Sequence, residues 1–321
     1  MAVLKTSYMG FELDCPLVVA ASPLSREVAD VQRLEDAGAG AVVLYSLFEE
    51  QCRQAISAGS VEWLSGDAGL LGEFHTTPEE YLDHIERVKR VVRIPIIASL
   101  NAAQPGPWLR YAARMEDAGA DGIELNIYKV VADPTMTSAA VEDVYVEILE
   151  MVKSSVTIPV ALKIGPYFTA LASVAARFDE AGADALVLFN RFYQPTIDIE
   201  RCQVVPTLEY SSRFESRLPL MWIAMLKGQV RANLAATTAI YTAGDVVRMI
   251  MAGADVTMVC SALLRHGVER LAEIRRSLEE WLDDHGYRSV DAIRGIMSCV
   301  HQRGSADFGR AGYAKVLNRY W

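Results

Sequence analysis

Short runs of apolar residues recur along the chain, each bounded by glycine, proline or a charge. Between them lie longer stretches whose apolar positions fall at helical spacing. One pattern returns four times: Glu35-Asp-Ala-Gly-Ala-Gly-Ala-Val-Val-Leu44, Glu116-Asp-Ala-Gly-Ala-Asp-Gly-Ile-Glu-Leu125, Asp179-Glu-Ala-Gly-Ala-Asp-Ala-Leu-Val-Leu188 and Met251-Ala-Gly-Ala-Asp-Val-Thr-Met-Val259. Each copy reads as a helix end, a glycine just past it in left-handed conformation, and a buried strand. Ile94-Pro-Ile-Ile-Ala-Ser-Leu100 and Ile158-Pro-Val-Ala-Leu-Lys163 add two strands entered through proline. Pro16-Leu-Val-Val-Ala-Ala21 and Leu234-Ala-Ala-Thr-Thr238 complete a set of eight. Amphipathic stretches at 28–38, 78–92, 107–118, 140–155, 170–181, 219–228, 243–252 and 267–284 predict the helices. Eight alternating strands and helices predict an α/β chain folded as a (β/α)8 TIM barrel. A doubly wound open sheet is the alternative, weakened because no G-x-G-x-x-G follows the first strand.

A barrel directs attention to the C-terminal ends of its strands, where the loops build sites. Read in order, those ends offer Ala20, Ala21 and Ser22; Tyr45 and Ser46; Ser99 and Asn101; Glu124, Asn126 and Lys129; Lys163; Asn190 and Arg191; Thr237 and Thr238; Cys260 and Ser261. Lys163 stands out because it interrupts a wholly apolar run. An ammonium there needs an anionic partner. It is either the partner of a neighbouring carboxylate or a cation at the strand rim, next to Gly165-Pro166, for an anionic ligand; we take the second as the expectation. Asp133, Glu142 and Asp143, after the fourth strand, read as solvated loop and helix-start residues. Loops at 47–77, 128–139 and 191–218, after strands two, four and six, exceed ordinary lengths and suggest a lid or a subunit interface.

Composition narrows the function classes. The 321 residues are 51% hydrophobic and carry a net charge of −10 without a basic stripe, which argues against nucleic acid as a partner. Cys15, Cys52, Cys202, Cys260 and Cys299 form no C-x-x-C pair, and none of the five histidines has ligand spacing to another. Neither a metal site nor a disulfide framework is expected. No apolar run reaches 18 residues, so no membrane span is expected and the protein reads as cytoplasmic.

From residue 4 to residue 298 the chain resembles the soluble class 1 dihydroorotate dehydrogenases. The resemblance is carried by Pro16-Leu-Val-Val-Ala-Ala-Ser22, the Gly-Ala-Val-Val-x-x-Ser46 pattern, Glu124-Leu-Asn126, Leu162-Lys163-x-x-Pro-Tyr-Phe168, Ala252-Gly-Ala and Gly286-Tyr-Arg-Ser-Val290. It implies an FMN-containing barrel that oxidises dihydroorotate to orotate in pyrimidine biosynthesis. Lys163 would lie by the flavin ring, Asn126 would bond flavin or substrate, Ala21 and Ser22 would touch the ring, and Ser46 would lie nearby. Thr238-Ala239 and Cys260-Ser261 would hold the FMN phosphate. Tyr45 and Asn190 are expected on the substrate side. A homodimer is implied, and an iron–sulfur partner subunit would have to come from another gene.

The departures from that family are specific. Tyr45 stands for the lysine of the second strand, and Lys129 for the catalytic cysteine three residues after Asn126, which makes Lys129 the candidate base. Orotate-gripping asparagines are missing at Val131 and in 65–72. The phosphate-site glycines are replaced by Thr238-Ala239 and Cys260. Two alternatives remain: a flavin enzyme for another small cyclic amide or carbonyl compound, and a barrel without flavin that binds ligands or uses Lys163 in aldol or phosphate-ester chemistry. Residues 1–298 are expected to form the barrel. Residues 299–321, with Phe308, Tyr313, Tyr320 and Trp321, are expected to pack against it as an extension.

Overall fold

The computed structural model describes residues 1–57, 76–207, 209–301 and 305–319 of the chain. Most of the loop at 47–77, including the segment 65–72, lies outside the described residues, as do Tyr320 and Trp321. Eight parallel strands close into a barrel. They are β1 (Leu17–Val19), β2 (Ala41–Phe48), β3 (Ile96–Ala102), β4 (Gly122–Ile127), β5 (Val160–Ile164), β6 (Ala185–Leu188), β7 (Asn233–Ala236) and β8 (Val256–Val259). Each pairs with its sequence neighbours, and β8 pairs with β1 to close the ring. The helices between them are α1 (Val28–Asp36), α2 (Glu49–Ser57), α3 (Pro78–Lys89), α4 (Arg110–Asp117), α5 (Ser138–Ser155), α6 (Leu171–Glu180), α7 (Arg217–Leu226), α8 (Ala243–Ala252), α9 (Ser261–His266), α10 (Arg270–Asp284) and α11 (Arg310–Arg319). The (β/α)8 expectation holds strand for strand. Gly38, Gly119, Gly182 and Gly253, the glycines of the fourfold repeat, have φ of +90°, +94°, +91° and +125°.

Two shells of apolar side chains make the core. The larger lies between barrel and helices and includes Trp108, Tyr111, Phe178 and Leu278. The smaller fills the barrel with Val18, Ala20, Ala41, Val43, Ile97, Ala161, Ala185, Val187, Ala235, Val256 and Met258. Alternate residues along a strand face opposite sides, which sorts each strand between the shells. Fully burying one Val or Leu side chain contributes about 1.5–3 kcal/mol, so the two shells fix the frame that carries the site.

An N-terminal hairpin, Thr6–Tyr8 paired with Phe11–Leu13, closes one end of the barrel. Tyr8, Met9 and Leu13 join the inner core, and Met9 donates its N–H to Asn233 Oδ1 at the start of β7, 2.8 Å away. Met9 and Gly10 both have positive φ, +52° and +81°, the geometry of a tight two-residue hairpin turn. This seal lies at the N-terminal ends of the strands and leaves the opposite mouth for chemistry. The long connection after β6 forms a second hairpin, Thr196–Asp198 with Gln203–Val205. In the C-terminal segment Cys299 donates to Ala224 O, and Phe308 packs on the outer core. Tyr313 stays 65% exposed rather than covering the barrel, because α11 buries none of its residues. Among the described residues no helix is long and apolar enough to cross a membrane.

Candidate active site

β4 and β5 pair in the register that sets Asn126 opposite Lys163. Strand alternation then turns Glu124, Asn126 and Lys163 toward the barrel interior together. Lys163 Nζ donates to Glu124 Oε1 at 3.2 Å, with Lys163 7% and Glu124 0% exposed. The lysine's counter-ion is therefore a carboxylate of the chain itself, the first of the two readings its position allowed. A buried charge without such a partner costs several kcal/mol. The other carboxylate oxygen, Glu124 Oε2, is buried and accepts no hydrogen bond.

Around this pair the expected residues separate into groups. Asn126 Oδ1 accepts from Asn190 Nδ2 at 2.7 Å, which leaves the Asn126 amide N–H groups to offer. Ser46 and Ser99 share a hydroxyl–hydroxyl bond of 2.8 Å, in register with Glu124 on the next strand. Ser22 Oγ, just past β1, is buried beside the Cys260 thiol. Ala21 and Cys260 pack against the inner core. Burial pushes the Cys260 thiol pKa up, opposed by the charge of Lys163.

Two candidates lie elsewhere. The Tyr45 ring packs edge-on against Tyr81, 5.1 Å between centroids, and near His84, so its contacts are with the helix layer rather than with Lys163 or Asn126. A large aromatic side chain gains more there than at a polar mouth. Lys129 Nζ donates to Ala103 O at 3.2 Å and lines a cavity of about 440 Å³ with Asp133, Glu142 and Tyr145. A second cavity, about 870 Å³, opens between Asn190, Tyr210, Phe214 and Thr238. Tyr167 and Phe192 line both, with their rings 4.7 Å apart, and Tyr128 stacks on Phe192 at 5.2 Å.

Thr238, Ala239 and Ser261 come together past the ends of β7 and β8, around a residue the sequence reading did not single out. Ser211, on the connection after β6, is 4% exposed. Its Oγ accepts the Ala239 N–H at 3.2 Å and lies 3.1 Å from Ser261 Oγ and 3.4 Å from the Tyr241 hydroxyl. The Tyr241 hydroxyl donates to Ser211 O at 2.5 Å. Thr238 and Ala239 have φ of +80° and +62°, left-handed conformations that side chains with a Cβ seldom adopt. The loop thus keeps a glycine-like path without glycine, a feature that marks functional turns when the surroundings enforce it.

Comparison with known proteins gives this geometry a context. Residues 69–282 match the family model described as dihydroorotate dehydrogenase. The chain is 27% identical over 309 residues to the catalytic subunit of the NAD(+) dihydroorotate dehydrogenase B of Methanothermobacter thermautotrophicus, covering 92% of this chain and 98% of that protein. The catalytic subunit of the same name from Thermoplasma acidophilum is 26% identical over 308 residues, 92% of this chain and 99% of the other. That of Pyrococcus furiosus is 23% identical over 309 residues, again 92% and 99%.

Proposed function

Because this chain belongs to the dihydroorotate dehydrogenase family, we propose that it is a flavin-dependent oxidoreductase acting on a CH–CH donor, with dihydroorotate as substrate and orotate as product in pyrimidine biosynthesis. The observation that carries the reading is the polar cluster of Lys163, Glu124, Asn126 and Asn190 at the barrel mouth. The ring end fits a flavin, FMN being the form the resemblance implies. A buried cation, a pair of oriented amides and the buried Ser22 hydroxyl stand there beside the small residues Ala20, Ala21 and Ala235. When bound, the flavin supplies the hydride acceptor of the reaction.

The chain's own residues position and neutralise. Lys163, aimed by Glu124, places positive charge beside the ring. Asn126, held by Asn190, presents its N–H groups to a ring or substrate carbonyl. Ser46 and Ser99 fix the adjoining wall. Past β7 and β8, Thr238, Ala239, Cys260 and Ser261 form the end that the resemblance assigns to the phosphate. Lys129 takes the proton from the substrate carbon at Nζ and is otherwise held by Ala103 O. The relatives are named catalytic subunits, which supports an assembly with a second subunit rather than the simple homodimer the resemblance implies. We place that assembly in the cytoplasm.

Anaerobic reduction of the flavin-loaded protein by dihydroorotate, followed against pH, tests this. A Lys129 base predicts reduction that rises with pH and collapses in Lys129→Ala. Equal rates and equal profiles in both proteins remove Lys129 from the chemistry. If dithionite reduces the wild type and dihydroorotate does not, the substrate is another small cyclic amide or carbonyl compound. The replacements at Tyr45, Lys129 and Val131 favour that second reading.

A further inference from the structure

Ser211 Oγ accepts the Ala239 N–H at 3.2 Å, donates to Ser261 Oγ at 3.1 Å, and lies 3.4 Å from the Tyr241 hydroxyl, whose own hydrogen goes to Ser211 O. These groups stand at the C-terminal ends of β7 and β8, the part of a barrel that commonly takes a phosphate. A phosphate oxygen there would need the Ala239 N–H. A backbone N–H has a single hydrogen to give, so Ser211 Oγ and a phosphate oxygen compete for Ala239 directly. Ser211 is also fixed from behind, because Tyr241 donates to its carbonyl and its own N–H lies 3.4 Å from Ser261 Oγ. The Cβ atoms of Thr238 and Ala239 add bulk to the same turn, which keeps its left-handed path while Ser211 accepts the N–H it presents. The Ala239 N–H is thus turned inward and satisfied by a neutral side chain of the same molecule.

We propose that Ser211 makes the flavin site of this chain indifferent to the terminal phosphate, so that riboflavin and FMN bind alike through the ring end. The proposal rests on the reading of the barrel mouth as a flavin site. Its chemical content is narrow: recognition lies in Lys163, Asn126 and Ser22 around the ring, and the β7–β8 end contributes closure instead of anion binding. Removing the Ser211 side chain would free the Ala239 N–H for a phosphate and take away the bond that Ser261 Oγ accepts from Ser211 Oγ. Each charge-assisted hydrogen bond regained is worth about tenfold or more in affinity.

The experiment titrates flavin-free protein with riboflavin and with FMN, reading quenching of flavin fluorescence, for wild type, Ser211→Gly and Ser211→Ala. Far-ultraviolet circular dichroism and thermal unfolding confirm that each variant is folded. The proposal predicts that wild type binds the two flavins within about threefold of each other, since the Ala239 N–H that would reward a phosphate is held by Ser211. In Ser211→Gly, FMN affinity rises about tenfold or more while riboflavin affinity stays put. Ser211→Ala, which keeps the Cβ but frees the N–H, shifts the ratio in the same direction and decides the matter if the glycine variant does not fold. A wild type that already prefers FMN tenfold, with a ratio unmoved in the variants, overturns the role of Ser211 and leaves the flavin site standing. Binding of neither flavin to any of the three proteins overturns the flavin reading itself and the proposal with it.

Discussion

Replacing Lys163 by methionine strands Glu124 inside the barrel. The two charges are 3.2 Å apart, Glu124 is fully buried, and one of its oxygens has no hydrogen bond. At an effective dielectric constant of about 20 their attraction is roughly 5 kcal/mol. Desolvation offsets much of that for the intact pair, but removing one member leaves the other uncompensated, and such changes cost about 3–5 kcal/mol. Lys163→Met should therefore lose about that much in urea unfolding followed by circular dichroism, through a lower midpoint at unchanged slope. The double variant Lys163→Met/Glu124→Leu removes both charges and should recover most of the loss, since apolar replacements of buried pairs are often neutral or stabilising. The coupling between the two changes is the quantity to report. A Lys163→Met variant within about 1 kcal/mol of wild type, or a double variant that loses the sum of the singles, would refute the assignment of Glu124 as the lysine's internal counter-ion.

Ala239→Gly should be neutral to stabilising by up to about 1 kcal/mol in the same assay, because a left-handed alanine costs about 1–2 kcal/mol and glycine's extra freedom in the unfolded chain returns part of it. A clear loss of stability would show that the turn is not strained. Burial pushes the His84 imidazole pKa down, against the bond its Nε2 donates to Ser25 O at 2.7 Å. The folded chain thus keeps His84 neutral where the unfolded chain, near pKa ~6.5, takes a proton. Its contribution is complete above that pH and is lost as pH falls toward the depressed folded value. Thermal midpoints should accordingly fall more steeply for wild type than for His84→Gln between about pH 7 and pH 5; parallel slopes would contradict the assignment.

The architecture was legible because the same helix–glycine–strand unit is written four times, and each glycine proves to hold the positive φ that the unit requires. The counter-ion of Lys163 was legible too, though it was read differently. Glu124 precedes Asn126 by two residues, so strand alternation puts it on the face of Asn126, and the register that sets Asn126 opposite Lys163 brings it to the lysine. The N-terminal hairpin also carried a signal, Met9-Gly10 between alternating apolar residues. Tyr45 was misplaced because a register shift in β2 between Val43 and Ser46 changes which side chains face inward, and such irregularities leave no periodic trace. Ser211 could not be found from pattern at all. It sits in a polar and aromatic stretch without period, and only the fold brings it onto Ala239, 28 residues further along the chain.

The central claim is that the Lys163–Asn126 mouth holds a flavin. The most direct measurement is the flavin content of protein purified from flavin-replete cells, by absorbance and by chromatography of cofactor released on heating, with reconstitution of any flavin-free fraction. The account predicts one flavin per chain, and weaker retention when Asn126 is replaced by alanine. Protein that carries no flavin and takes up none on reconstitution would contradict it.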